Sequence, residues 1–133
     1  MTVRQLCSNP VYILLVFTIS SLYFVVSGLQ FWTTTYMTTV FKDEPSEVYT
    51  YYIVTCLTAP SLGVLLSILV FNYVGGYNSK ASYGLCLLFG ALAVVVSIPV
   101  PFATRCTVVY ALLWLIFFFG SVVLAPLVGM MLN

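Results

Sequence analysis

The chain has 133 residues, of which 62% are hydrophobic and 5% charged, and its net charge is +1. A soluble domain carries roughly a quarter charged residues, so this chain could not cover its surface with polar side chains. Lipid is therefore the expected solvent for most of that surface. The basic residues form no patch, which argues against a nucleic-acid partner.

Catalytic and metal-binding chemistry is also missing from the sequence. There is no histidine, which removes the commonest catalytic base and metal ligand. The four cysteines show no paired spacing, so neither a disulfide framework nor a zinc site is expected. No phosphate-binding loop occurs, and no carboxylate lies within any predicted span. We expect a protein that is not an enzyme and that uses no metal or cofactor.

The charged residues divide the chain into four uncharged stretches. Each is long enough to cross the hydrocarbon core, which takes about 20 residues of helix. Backbone amides in lipid must bond within their own segment, so these stretches are predicted to be helices. The sequence predicts an all-α membrane protein, a single partial bundle over residues 1–133, with spans at about 11–37, 50–74, 81–100 and 107–131.

Capping residues precede each predicted span. Asn9 followed by Pro10 is typical of a helix start. The other candidate starts are 45–47 for the second span, Asn78 or Ser79 for the third, and Thr104 or Thr107 for the fourth.

The join 75–80 (GGYNSK) is the most polar interruption in the second half of the chain. Gly75 and Gly76 are expected to end the second span, because glycine tolerates the left-handed conformation that follows a helix. Two spans joined so tightly are predicted to be antiparallel neighbours.

The first span has the most polar face of the four. Steps of three and four residues place Tyr23, Ser27, Gln30, Thr34 and Met37 on one side. An amide in hydrocarbon costs several kcal/mol if it has no partner. Gln30 is therefore expected to hydrogen-bond either the head group of a cargo molecule or a neighbouring helix.

Small residues at regular intervals predict close helix packing. Such stripes occur on the second, third and fourth spans: Ala59, Gly63 and Ser67; Gly90, Ala93 and Ser97; Ser121, Ala125 and Gly129. Pro60 and Pro126 lie within spans and are expected to kink or loosen them. Such breaks can flank a moving region, although prolines are also commoner in membrane helices than in soluble ones. Unpaired packing faces suggest that the chain is part of a longer protein.

Four segments resemble the major facilitator superfamily of transporters, and within it the spinster-like branch. They are 7–12 (CSNPVY), 26–32 (VSGLQFW), the join 75–80, which keeps the glycines and Lys80 of the superfamily's loop signature, and 125–133 (APLVGMMLN). The resemblance implies that the chain corresponds to helices seven to ten of a twelve-helix transporter.

The resemblance also implies roles for particular residues. Arg4 and Lys80 would be cytoplasmic, and the join containing Gly75, Gly76 and Lys80 would be a gating hinge. Helices seven, eight and ten line the central cavity in this superfamily, whereas helix nine is peripheral. The implied substrate-binding candidates are Tyr23, Ser27, Gln30, Thr34, Thr55, Thr58, Trp114 and Ser121. For Trp114 and Ser121, helix packing is the simpler interpretation.

The expected function is therefore that of a secondary transporter segment working by alternating access. Its cargo would be a small amphipathic solute or a lysolipid-like molecule, and its partners would be the bilayer and the remaining helices of the same transporter. The protein would be an integral, multi-pass protein of the endolysosomal or plasma membrane. The alternative is a non-catalytic four-helix membrane scaffold or assembly subunit.

Overall fold

The computed structural model describes residues 8–41, 44–75 and 80–130, and the backbone of 131–132. Four long helices dominate it: α1 (Pro10–Tyr36), α2 (Pro45–Tyr73), α3 (Lys80–Ser97) and α4 (Cys106–Leu132). A π-helical turn (Met37–Phe41) prolongs α1, and a 3-10 turn (Val100–Phe102) follows α3. All four helices are long and apolar enough to cross a membrane, so the prediction of an all-α membrane protein is confirmed.

Helix starts agree with the sequence at α1 and at α2. The Asn9 side chain accepts a hydrogen bond of 3.1 Å from the Val11 backbone N–H, with Pro10 in the first turn, as predicted. Helix α2 begins at Pro45, within the predicted start at 45–47 and before the uncharged span that was placed from residue 50, although its N-cap Glu44 makes no side-chain capping bond. The acidic Glu47 in its first turn favours this earlier start through the helix dipole. The predicted caps Asn78 and Ser79 lie outside the described residues.

Glycine and proline end the middle helices. Gly75 has a φ of +97°, in the left-handed region that other residues rarely adopt, and it follows the last turn of α2. The predicted role of Gly75 is thus confirmed, whereas Gly76 lies outside the described residues. Helix α3 ends at Ser97 rather than at residue 100, because Pro99 cannot continue an α-helix and a 3-10 turn replaces it.

Both internal prolines lie within continuous helices. Pro60 lies inside α2, and Pro126 lies inside α4, where it is fully buried. Neither helix is divided at its proline.

Helix α4 contacts each of the other three helices of the bundle. It packs most extensively against α2, then against α3, and through its first turns against the end of α1. Helices α2 and α3 have no comparable contact with each other among the described residues. The prediction that they are direct neighbours is therefore wrong: α4 packs against both, because it offers the larger packing surface.

The contact between α2 and α4 depends on small residues, as the sequence predicted. A row at four-residue spacing faces α4 and is buried: Thr55, Ala59, Gly63, Ser67 and Phe71. At Gly63 a Cβ atom would lie 2.6 Å from the Phe118 carbonyl oxygen and 2.9 Å from the Ser121 Cβ. The absence of a side chain at Gly63 therefore lets the two backbones approach closely.

The stripe predicted on α3 is only partly right. Gly90 and Ala93 are half-buried, but no atom lies within 4 Å of the position that a Cβ would take at Gly90. Ser97 is exposed. Contact with α4 includes stacked rings instead, with the centroids of Phe89 and Phe119 6.2 Å apart.

Helix α1 is attached at one end. Its inner face is half-buried at intervals of three and four residues: Tyr12, Leu15, Ile19, Leu22, Val26 and Leu29. Thr33 is buried, and Met37 in the π-helical turn is fully buried. Met37 clusters with Val48 at the start of α2 and with Val109 and Leu113 of α4.

Gly63→Ala should destabilise the bundle by roughly 1–3 kcal/mol, because the added methyl meets backbone and Cβ atoms that cannot move without separating α2 from α4. Unfolding of the purified protein in mixed micelles, followed by circular dichroism, measures this. Gly90→Ala is the matched control, since the space around Gly90 is open. Equal stability of the two variants would contradict the close approach.

Candidate functional site

The polar stripe of α1 faces away from the other three helices. Tyr23 is 56% exposed, Ser27 and Gln30 are exposed, and Thr34 is half-buried. Met37 was predicted on the same side but is fully buried. Its burial follows from the packing at this end of α1, where Met37 clusters with Val48, Val109 and Leu113.

Gln30 lies at hydrocarbon depth. It belongs to a 32-residue span, Pro10–Phe41, and at a rise of 1.5 Å per residue it is about 7 Å from the middle of that span. The half-thickness of the hydrocarbon core is about 15 Å. The Gln30 amide makes no hydrogen bond to any other described residue. Its partner must therefore come from outside the described residues.

The candidates on α2 and α4 come together in the contact between these helices. The Trp114 indole N–H donates a 3.0 Å hydrogen bond to the Thr58 hydroxyl oxygen. The Thr58 hydroxyl in turn donates a 2.7 Å bond to the Val54 carbonyl. The Thr58 proton is thus already used within the protein, and the pair links α2 to α4.

Ser121 and Thr55 also belong to this contact. The Ser121 hydroxyl donates to the Phe117 carbonyl over 2.8 Å, and Thr55 is 7% exposed on the buried row of α2. The Trp114 ring stacks on Phe118 with centroids 5.2 Å apart. The structure thus gathers four predicted candidates into one packed contact, apart from the exposed stripe of α1.

The predicted gating join is described at its ends. Gly75 ends α2, and Lys80 is exposed as the first residue of α3. Gly76 and the other residues of 76–79 lie outside the described residues.

Sequence reasoning missed a cleft at the other end of the bundle, here called the α1–α4 cleft. It has a volume of about 410 Å³ and is lined by Leu29, Trp32 and Tyr36 of α1, by Val100 of the 3-10 turn, and by Val109 and Leu113 of α4. Most of these side chains are apolar. The aromatic residues near the end of the first span were a usable signal, but nothing in the sequence indicated that the 3-10 turn would face them.

We predict that Thr58→Val and Trp114→Phe are coupled in stability by about 1 kcal/mol, because both remove the same hydrogen bond between helices. Unfolding free energies in mixed micelles for the two single variants and the double variant measure the coupling. Thr18→Val is the control, since the Thr18 hydroxyl bonds the Leu14 carbonyl of its own helix over 2.8 Å. Coupling of Trp114→Phe with Thr58→Val no greater than with Thr18→Val would exclude the bond.

Comparison with known proteins adds no assignment to this geometry. No protein-family model, no curated protein and no solved structure matches the chain. A functional interpretation therefore starts from the site itself: an exposed polar stripe on one membrane-spanning helix, beside a tightly packed pair of helices.

Proposed function

We propose that this chain is a segment of a secondary transporter that works by alternating access and moves a small amphipathic solute. The observation that carries the proposal is the exposed Gln30 amide at hydrocarbon depth, on a stripe with Tyr23 and Ser27. Polar residues inside a membrane ordinarily face a water-filled cavity or another protein segment. A cavity shared with further helices of the same transporter meets that requirement.

The packing of the helices supports movement of α1 relative to the rest. The contact between α2 and α4 is close at Gly63 and is fixed by the bond between Thr58 and Trp114. Helix α1 is buried only at its end, at Thr33 and in the following π-helical turn. A helix held at one end beside a rigid pair can tilt without disrupting a large contact, which alternating access demands.

The chemistry of the stripe favours an amphipathic cargo. One amide and a few hydroxyl groups can hydrogen-bond a polar head group, while the neighbouring side chains are large and apolar, such as Phe24 at 81% exposed and Phe31 at 70% exposed. The stripe carries no charge, so a charged group on the cargo would need an anchor from another helix. A lysolipid-like molecule fits this combination.

A membrane scaffold or assembly subunit is the competing function. In that case Gln30 would hydrogen-bond a partner helix permanently. The two functions differ in what removal of the amide does: a scaffold loses assembly, whereas a transporter loses uptake.

Gln30→Leu should lower uptake by about tenfold, which is the effect of losing one hydrogen bond of roughly 1.4 kcal/mol. The full-length protein is reconstituted in proteoliposomes, and uptake of a fluorescent short-chain lysophosphatidylcholine is measured. Folding should be unchanged, because the side chain is exposed and leucine is compatible with lipid.

Thr18→Leu is the control variant, since Thr18 is an exposed polar residue on another face of α1. It should transport like the wild type. Equal uptake by Gln30→Leu and wild type would remove Gln30 from the cargo path. No uptake by the wild type, together with a partner protein lost on Gln30→Leu, would favour the scaffold.

A further inference from the structure

A π-helical turn, Met37–Phe41, lies at the point where α1 is attached to the rest of the bundle. The Met37 side chain at its start is fully buried, and Phe41 at its end packs against the same cluster. The backbone N–H of Met37 donates to the carbonyls of both Thr33 and Thr34, so the change from the α to the π pattern begins there. Single π-helical turns within α-helices are rare and occur frequently at functional sites.

The polar stripe of α1 and its inner face differ by one residue in the sequence. Four residues of the inner face are half-buried or buried: Leu22, Val26, Leu29 and Thr33. Each of them is directly followed by a residue of the stripe, and these are Tyr23, Ser27, Gln30 and Thr34. Successive residues of an α-helix are about 100° apart around its axis, so the two rows are separated by that angle.

The π-helical turn holds one extra residue, because its hydrogen bonds join residues five apart instead of four. If the turn becomes α-helical while Phe41 stays in place, the extra residue is wound into the helix. Every residue before the turn then rotates by about 100° and moves by about 1.5 Å along the axis. The direction of winding places each residue where its predecessor was, so Gln30 takes the position of Leu29.

We propose that conversion of this turn between its π and α forms rotates the polar stripe between the outer and the inner face of α1. In the present state Leu29 and Thr33 line the α1–α4 cleft. In the rotated state Gln30 and Thr34 line it instead, and the Gln30 amide faces α4. The rotation deepens the proposed transport function, on which its purpose rests, because it gives the stripe two facings.

The threonines around the turn keep the cost of the conversion low. A backbone carbonyl without a hydrogen bond is strongly unfavourable in lipid. The Thr38 hydroxyl already donates to the carbonyls of Thr34 and Thr35, over 3.0 and 3.1 Å. A threonine hydroxyl can bond a carbonyl one turn back in its own helix. Carbonyls whose amide partner changes during the conversion can therefore keep a hydrogen bond.

Burial of Met37 favours the present state. Its side chain clusters with Val48, Val109 and Leu113. In the rotated state Thr38 takes the place of Met37, and the cluster loses an apolar side chain. The rotated state is therefore the minor one until a molecule that hydrogen-bonds the inward-facing stripe raises its population.

Pulsed electron paramagnetic resonance on the full-length protein in nanodiscs measures the orientation of α1. With the native cysteines replaced by alanine, a nitroxide label on Ser27→Cys is paired with one on Leu87→Cys of α3. A second pair uses Leu62→Cys of α2, so that the rotation is viewed from two directions. All three positions are exposed. A rotation of about 100° at a helix radius of about 5 Å moves the Ser27 position by about 8 Å, so we expect two distances whose populations report the two states.

Two changes in the turn test the rotation directly. Met37→Ala removes the side chain that favours the present state and should raise the rotated population at least about tenfold without any cargo. Deletion of Thr39 removes the extra residue and leaves a continuous α-helix with the stripe in its present direction. Met37→Ala combined with this deletion should therefore show the present distance alone. Thr39→Ala is the matched control for the deletion, because it removes the same exposed side chain and keeps the residue count.

A single distance from both views, in the wild type and in Met37→Ala alike, overturns the proposal. Two distances that persist after the deletion of Thr39 also overturn it. Met37→Val, which keeps more of the buried side chain, gives the same test should Met37→Ala not fold.

These measurements need no cargo, so the rotation and the transport function fail separately. Two orientations together with unchanged uptake in Gln30→Leu would support the rotation and remove only its role in transport. One fixed orientation together with lost uptake in Gln30→Leu would keep the transport function and overturn the rotation.

Discussion

The close approach of α2 and α4 at Gly63 is the contact on which the rest of the bundle depends. Without a side chain at Gly63, the α2 backbone lies against the Phe118 carbonyl and the Ser121 Cβ. Packing has to supply the stability here, because lipid tails are as apolar as the side chains that contact them. The hydrogen bond between Trp114 and Thr58 belongs to the same contact and adds a directional interaction between α2 and α4. Helices α1 and α3 are then arranged around α4.

The polar residues that join the helices are different from the polar residue that could bind a ligand. Thr58, Trp114 and Ser121 combine polarity with membrane depth, which made them candidates for a cavity wall, yet their hydrogen bonds are made within the protein. Gln30 has the same combination and remains without a partner among the described residues. In lipid, a polar group that hydrogen-bonds its own helix or a neighbouring helix stabilises the fold. A polar group without such a bond indicates that a water-filled cavity, a ligand or a further protein segment contacts it.

The sequence predicted the helices well because their signals are local. Lipid requires long uncharged runs, Asn9 and Gly75 have capping chemistry, and the small residues around Gly63 mark the closest contact. The arrangement of helices was harder to predict. A short join indicated that α2 and α3 would be neighbours, but the packing surface of α4 outweighs connectivity. The α1–α4 cleft depends on a 3-10 turn meeting the end of a helix distant in sequence, which no local pattern encodes.

The position of α4 has a consequence for how the protein is made. Helices α1, α2 and α3 all contact α4, which is the last of the four to leave the ribosome. Three segments therefore enter the bilayer before their common partner exists, and their packing against it must wait until then. Their abundance of large exposed hydrophobic side chains suits that interval. Each of these segments must therefore be stable as a helix in the bilayer before the bundle assembles.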